Sequence, residues 1–243
     1  MRDYKEEFKR RVAFIKNIVA ESGVNGIVFG NSGGKDSALV GILCKSACDN
    51  TVGVVMPCSS RRNFGADLID AREFADKFKI ETRVVDLTPV KEAELKQLSN
   101  VVKMVPASEI NIAPRLRMTT LYAIAACESR LVAGTGNRSE TYVGYFTKWG
   151  DGAHDFNPIS DLTVTEIYEF LRYLDAPLRI IEKAPSAGLY DAQTDEADMG
   201  FKYSDLDAYI TTGIVNPDVK ARIDDMHRRS QHKREGIKRF KDV

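Results

Sequence analysis

The stretch GNSGGKDS, Gly30 to Ser37, carries the clearest chemical signal in the chain. Gly33 and Gly34 lack Cβ atoms, so the backbone can turn sharply there and bring its N–H groups close to an anion. Ser32 and Ser37 add hydroxyl donors and Lys35 adds positive charge. A helix expected from Asp36 would point its partial positive end at the same place. Asp36 is out of keeping with a plain anion site, because its carboxylate repels phosphate. It makes sense as a ligand of Mg2+, a hard cation that binds carboxylate and phosphate oxygens together. The loop is not a Walker A sequence, since Lys35 is followed by Asp36 rather than Ser or Thr, and it is not G-x-G-x-x-G. A plain Gly-Ser turn is the bland alternative, and it leaves Asp36 unexplained.

The elements that must hold this loop are legible around it. GIVFG, at Gly26 to Gly30, reads as a short buried strand, and a helix is expected from Asp36 to about Ala47. Strands are expected over Thr51 to Pro57, Thr82 to Leu87 and Arg130 to Gly136. Helical spacing is read at Phe8, Val12, Ile15 and Val19, from Phe64 to Phe78, and from Ala113 to Arg130. Thr88 before Pro89 reads as an N-cap with proline at the first helical position. Strand and helix in alternation predict one doubly wound parallel α/β sheet with helices on both faces. Ligands then bind beyond the C-terminal strand ends, which are the turns after Phe29 and Ala133. From Thr141 to Ser160 no period is clear. A capping box at Thr163 and Glu166 opens a helix that ends before Asp175. Loops dominate Lys183 to Gly200, and two helices follow near Tyr203 to Thr211 and Pro217 to Gln231. Without a repeat or linker, residues 1–243 read as one domain.

Composition narrows the partners. Lys and Arg total 35 and Asp and Glu total 35, so no general attraction to nucleic acid is expected. The charged start MRDYKEEFKRR is no signal sequence, and no apolar run approaches membrane-spanning length, so a cytoplasmic chain with no membrane contact is expected. Cys44, Cys48, Cys58 and Cys127 form no C-x-x-C pair, so a zinc site is not expected and the thiols read as buried, apolar-like residues.

SGGKDS resembles the SGGxDS loop of the ATP pyrophosphatases, and the adenine nucleotide alpha hydrolase-like fold goes with that resemblance. The later segments resemble one branch, the NAD synthetases. These are NIAPRLRM from Asn111, LVAGTGNRSE from Leu131, GYFTKWGDGAHD from Gly144, APSAGL from Ala184, the DEADMGFKYSDLD stretch, and HKR from His232. They stand in the family's order over most of Gly30 to Arg234.

The resemblance implies an ammonia-dependent synthetase that adenylates the nicotinate carboxylate of deamido-NAD with ATP and then forms the amide, releasing AMP and pyrophosphate. It makes Gly30, Asn31, Ser32, Gly33, Gly34, Lys35, Asp36, Ser37, Thr135 and Ser186 the ATP contacts. Lys35 and Asp36 are the catalytic candidates, and Glu140 joins Asp36 on Mg2+. Arg115, Lys148, Asp155, His232 and Lys233 are the deamido-NAD contacts, the cations suiting an anionic dinucleotide. A homodimer is implied as well. Glutamine-using relatives add an amidase domain for which this chain leaves no room, so free ammonia is the expected nitrogen donor.

Two departures stand out. Many members carry a lysine where this chain has Val164, which leaves Lys35 and Lys183 as candidate substitutes. The aromatic-glycine pair before the Q-T-D-E stretch reads Tyr190, Asp191, Ala192 here. Bland readings run alongside. Arg115 and Arg117, two apart, cannot share one helix face. Glu140 could merely open a helix, and His154 reads as structural. The rival functions are another adenylating enzyme, such as one that thiolates tRNA, and a nucleotide sensor without catalysis. The paired acids Asp36 and Glu140 argue against the sensor.

Overall fold

A computed structural model describes residues 2–186, 188 and 194–240. Four strands, β1 (Gly26–Gly30), β2 (Thr51–Val55), β3 (Glu81–Val84) and β4 (Arg130–Ala133), form a parallel sheet in the order β3-β2-β1-β4. The helices of the first half are α1 (Tyr4–Ser22), α2 (Lys35–Ala47), α3 (Arg61–Phe64), α4 (Ala66–Phe78), α5 (Thr88–Leu98), α6 (Pro106–Ile110) and α7 (Ile112–Glu128). Those of the second half are α8 (Arg138–Val143), α9 (Val164–Tyr173), α10 (Leu178–Glu182), α11 (Asp195–Met199), α12 (Tyr203–Thr212), α13 (Pro217–Arg229) and α14 (Gln231–Arg234).

Alternation along β1 builds both faces of the sheet. Ile27 and Phe29 enter a cluster with Leu39 and Leu43 of α2, Ile15 of α1 and Phe170 of α9. Val28 enters the opposite cluster with Val52 and Val54 of β2 and Leu121 and Ala125 of α7. Burying each such side chain contributes roughly 1.5–3 kcal/mol. A third cluster, with Met199, Tyr203, Leu206 and Ile223 around Val143 and Val164, holds the second-half helices beside the sheet.

The ends of several elements differ from the sequence expectation. The N-cap of α5 is Leu87, not Thr88; Thr88 is already helical and its hydroxyl accepts the Ser59 N–H at 3.0 Å. β2 stops at Val55 and β3 at Val84. Part of the stretch read as loop, Lys183 to Gly200, is the one-turn helix α11. The Tyr190 to Ala192 departure lies outside the described residues. The capping box forms as expected, with Thr163 accepting from Glu166 N–H and Glu166 accepting from Thr163 N–H. Only two of the four cysteines, Cys44 and Cys58, are buried; Cys48 is half-buried and Cys127 exposed. Among the described residues no helix is long and apolar enough to cross a membrane.

Candidate active site

From β1 the chain steps outward to β2 and β3, then returns to place β4 on the other side of β1. The loops after β1 and β4 therefore part at the switch point and open a crevice. A cavity of about 690 Å³ fills it. Of the expected ATP contacts, Gly30, Asn31, Ser32, Gly34, Lys35, Asp36, Ser37, Thr135 and Ser186 line it, and so does Glu140.

The loop is braced from within. Asn31 is buried; its Nδ2 donates to Ala71 O at 3.0 Å and its Oδ1 accepts the Gly33 N–H at 3.3 Å. Its side chain is thus committed to the protein. Gly33 has φ +68°, and a Cβ there would collide with the Asp67 carbonyl, so glycine is required twice over. Ser32 Oγ and Ser37 Oγ lie 3.1 Å apart, and Ser37 Oγ donates to Gly34 O at 3.0 Å. No side chain caps α2 at Gly34, which leaves the amide-rich helix start facing the cavity as an anion seat.

Two acids face this seat, joined by a residue that sequence reasoning passed over. Asn137, fully buried, caps α8 by accepting the Glu140 N–H at 2.9 Å. Its own N–H donates to Glu140 Oε2 at 3.1 Å, and its Nδ2 donates to Asp36 Oδ1 at 3.0 Å. The other Asp36 oxygen accepts from Lys35 Nζ at 2.7 Å. Burial, and then the Asp36 charge, push the Glu140 carboxyl well above the usual range. Burial alone would lower Lys35, but Asp36 and Glu140 outweigh it and hold the ammonium above its ordinary value. Two opposed carboxylates, one destabilised by the other, are a hard-oxygen donor set that suits a divalent cation.

The remaining cations divide. Lys183 Nζ, in the cavity wall, donates to Gly33 O at 3.2 Å and pairs with Asp67 and Asp70 at 2.7 Å each. Val164 is 3% exposed and packs with Tyr203 and Met199. Lys233 lines the cavity, but its Nζ donates to the carbonyls of Gly144 and Phe146 at 2.7 and 2.6 Å. Lys148 and His232 line a neighbouring cleft with Trp149, and Lys148 Nζ donates to His232 O at 2.6 Å. Arg115 lies outside both cavities' linings, its guanidinium on Asn111 O and Lys148 O at 3.3 Å each. Asp155 is a brace: Oδ2 accepts the Val132 N–H at 2.8 Å and Oδ1 accepts the Tyr122 hydroxyl at 3.1 Å. His154 packs its ring against Gly134, where a Cβ would clash with it, and its buried Nδ1 has no hydrogen-bond partner among the described residues.

Arg117 and Asp151 also line the cavity, and neither was singled out as a contact from sequence. Arg117 donates to Met56 O and Asn63 Oδ1 at 3.2 Å each. Burial lowers its pKa. Burial raises that of Asp151, whose Oδ1 accepts the Thr147 N–H at 2.9 Å. The R-x-R spacing was the available signal for Arg117.

A doubly wound sheet with a glycine-rich loop at its switch point and paired acids opposite is an adenine nucleotide alpha hydrolase-like architecture. The NAD synthase family model matches residues 7–237, and the chain belongs to that family. It is 44% identical over 235 residues to the NH3-dependent NAD+ synthetase of Carboxydothermus hydrogenoformans, covering 96% of each chain. Among solved structures it is similar to an NMN synthetase from Francisella tularensis, with TM-score 0.93 and 34% identity over 98% of this chain and 99% of that one. It is also similar to an NH3-dependent NAD synthetase from Campylobacter jejuni in complex with nitrate, with TM-score 0.84 and 29% identity over 99% and 100%.

Proposed function

We propose that this chain amidates the nicotinate carboxylate of deamido-NAD with ammonia, at the expense of ATP, through an NAD-adenylate. The observation that carries the reading is the Asp36, Asn137 and Glu140 constellation over the phosphate loop. The nicotinate carboxylate attacks the α-phosphorus and pyrophosphate leaves into the amide-rich start of α2. Ammonia then attacks the acyl carbon, AMP departs with the electron pair of the broken C–O bond, and the nitrogen sheds one proton to solvent to leave the amide. No protein nucleophile is needed; the chain supplies position, charge and exclusion of water.

Asp36 and Glu140 would hold Mg2+, which supplies neutralisation of the phosphate charge when bound. No group of three or more His, Cys, Asp or Glu among the described residues is disposed to hold a metal. The remaining ligands would therefore be phosphate and water oxygens, as Mg2+ prefers. Thr135 and Ser186 are assigned to ATP. Lys233 in the main cavity and the adjacent His232, with Lys148, in the neighbouring cleft suit a substrate with two nucleotide halves. Arg115 would join them by leaving its carbonyl partners, and Asp155 by trading the Tyr122 hydroxyl for one of the substrate. One domain over 1–243, a homodimer and a cytoplasmic site complete the reading.

A second reading keeps the chemistry and shortens the substrate to nicotinate mononucleotide. The close likeness to the Francisella NMN synthetase favours it. Purified protein is incubated with ATP, Mg2+ and ammonium and with either nicotinate nucleotide, and the amide product is followed by chromatography. A higher kcat/KM for deamido-NAD supports the first reading, and a higher value for the mononucleotide the second. No AMP-coupled amide from either would overturn both.

A further inference from the structure

Lys35 ends on one of the two acids that the proposed metal needs. The residue is 6% exposed, its Nζ donates to Asp36 Oδ2 at 2.7 Å, and the Tyr203 ring centroid lies 5.5 Å from Nζ. Asn137 Nδ2 holds the other Asp36 oxygen at 3.0 Å. Both oxygens of Asp36 thus have donors, one of them cationic, before any ligand arrives. Glu140 acts on the same ammonium electrostatically.

A bare pair of carboxylates at a cavity floor would bind free divalent cations. Here a lysine already offsets one of the two negative charges and is paired directly with Asp36. Its ammonium is a compact point charge on a flexible four-carbon stem, at the first residue of the helix that meets the phosphates. It can turn from Asp36 to a phosphate oxygen with little backbone movement. A metal arriving alone must displace the ammonium and leave it buried without a partner, which is costly. A metal arriving with polyphosphate brings the oxygens that the ammonium then takes.

We propose that Lys35 is a resident counterion standing in the metal's place between Asp36 and Glu140, so that the site rejects the free divalent ion and admits it as the nucleotide complex. This rests on the reading of Asp36 and Glu140 as metal ligands. Lys35 acts here as a positioning residue, and metal affinity without nucleotide is the readout that a merely structural role would not move in this direction.

The test is Mn2+ binding to the whole, metal-free protein, followed by the electron paramagnetic resonance of free Mn2+, with and without ATP. Lys35→Met is expected to bind Mn2+ alone roughly tenfold tighter or more than the parent, the effect of removing one charge-assisted competitor for Asp36. Lys35→Arg, which keeps the charge, is expected to stay within a factor of about two of the parent. Adding Asp36→Asn to Lys35→Met should abolish the gain. With ATP present the order reverses, the parent binding Mn2+ at least as tightly as Lys35→Met. Lys35→Gln makes the same comparison if Lys35→Met does not fold. If removal of the charge leaves Mn2+ affinity unchanged or weaker, while Asp36→Asn still lowers it, the counterion role is overturned and the metal site stands. If Asp36→Asn has no effect in either background, the metal assignment itself fails, and this inference with it.

Discussion

Asn137→Asp replaces one atom in the bridge between the two acids. The parent Oδ1 caps α8 on the Glu140 N–H, and aspartate keeps that cap. The parent Nδ2 donates to Asp36 Oδ1 at 3.0 Å; in the variant an oxygen faces an oxygen there. The lost bond to a charged acceptor costs about 1.5–3 kcal/mol. Placing a third carboxylate beside Asp36 and Glu140, partly answered by Lys35, raises the total to about 3–5 kcal/mol, the cost typical of leaving a buried charge uncompensated. For a chain of this size each kcal/mol moves the melting temperature by about 2–4 °C, so a fall of roughly 6–20 °C is expected near pH 8. The pH dependence is the sharper test. A carboxyl raised above its unfolded value binds its proton more tightly when folded, so the penalty is full above the folded pKa. It fades as pH falls toward the ordinary carboxylate range. Glu140 is already in that condition in the parent. Thermal melts of parent, Asn137→Asp and Asn137→Ala from about pH 8 down to pH 5 should show the Asp variant's deficit shrinking with acidification more steeply than the Ala variant's. An Asp variant as stable as the parent near pH 8, or a deficit that does not change with pH, would refute the bridge.

Gly33→Ala forces an alanine to φ +68° at a cost of about 1–2 kcal/mol and drives its Cβ into the Asp67 carbonyl. The loop must shift, so a raised KM for ATP of roughly tenfold or more is expected from steady-state rates; an unchanged KM would mean the loop is not the ATP seat. Lys183→Met strips the cation from Asp67 and from Asp70, which is 4% exposed, leaving the pair short of its main counterion. A loss of about 3–5 kcal/mol is expected by chemical denaturation; less than about 1 kcal/mol would mean that Arg179, already 3.0 Å from Asp70, suffices. Removing divalent ions with a chelator should abolish turnover reversibly and leave the melting temperature of the nucleotide-free protein unchanged, because Lys35 already occupies Asp36. A large fall on chelation would show a metal bound without nucleotide.

The glycine-rich loop was legible because its signal is local: a strand, the Gly33–Gly34 pair and a helix start fall within the ten positions from Gly26 to Lys35. The alternating sheet was legible because buried strands and long amphipathic helices each carry a period. The one-turn elements α3, α6, α10, α11 and α14 were not, since four or five residues are too few to show one; α8 was foreshadowed only by Glu140, which lies in its first turn. Asn137, and the pairing of Lys183 with its acids although Lys183 itself was named as a substitute for the lysine missing at Val164, escaped for another reason. Their partners lie far away in the chain, Asp36 being 101 residues from Asn137 and Asp70 being 113 from Lys183. Nothing local announces such a pair.

The two arginines of α7 show how far spacing can go. Two residues apart on a helix are turned by about 200°, so Arg115 and Arg117 must face opposite ways. Which of them meets the cavity depends on the face that α7 presents to the sheet. Leu121 and Ala125 decide it, since they pack on Val28 and Val54 and are four and eight residues beyond Arg117. That places Arg117 on the inner face, at the cavity end of the helix, and turns Arg115 toward the loop that carries Lys148. A direct nucleotide contact is therefore open to Arg117 from its present position. Arg115 lies outside the linings of both the cavity and the neighbouring cleft, its guanidinium held on the Asn111 and Lys148 carbonyls.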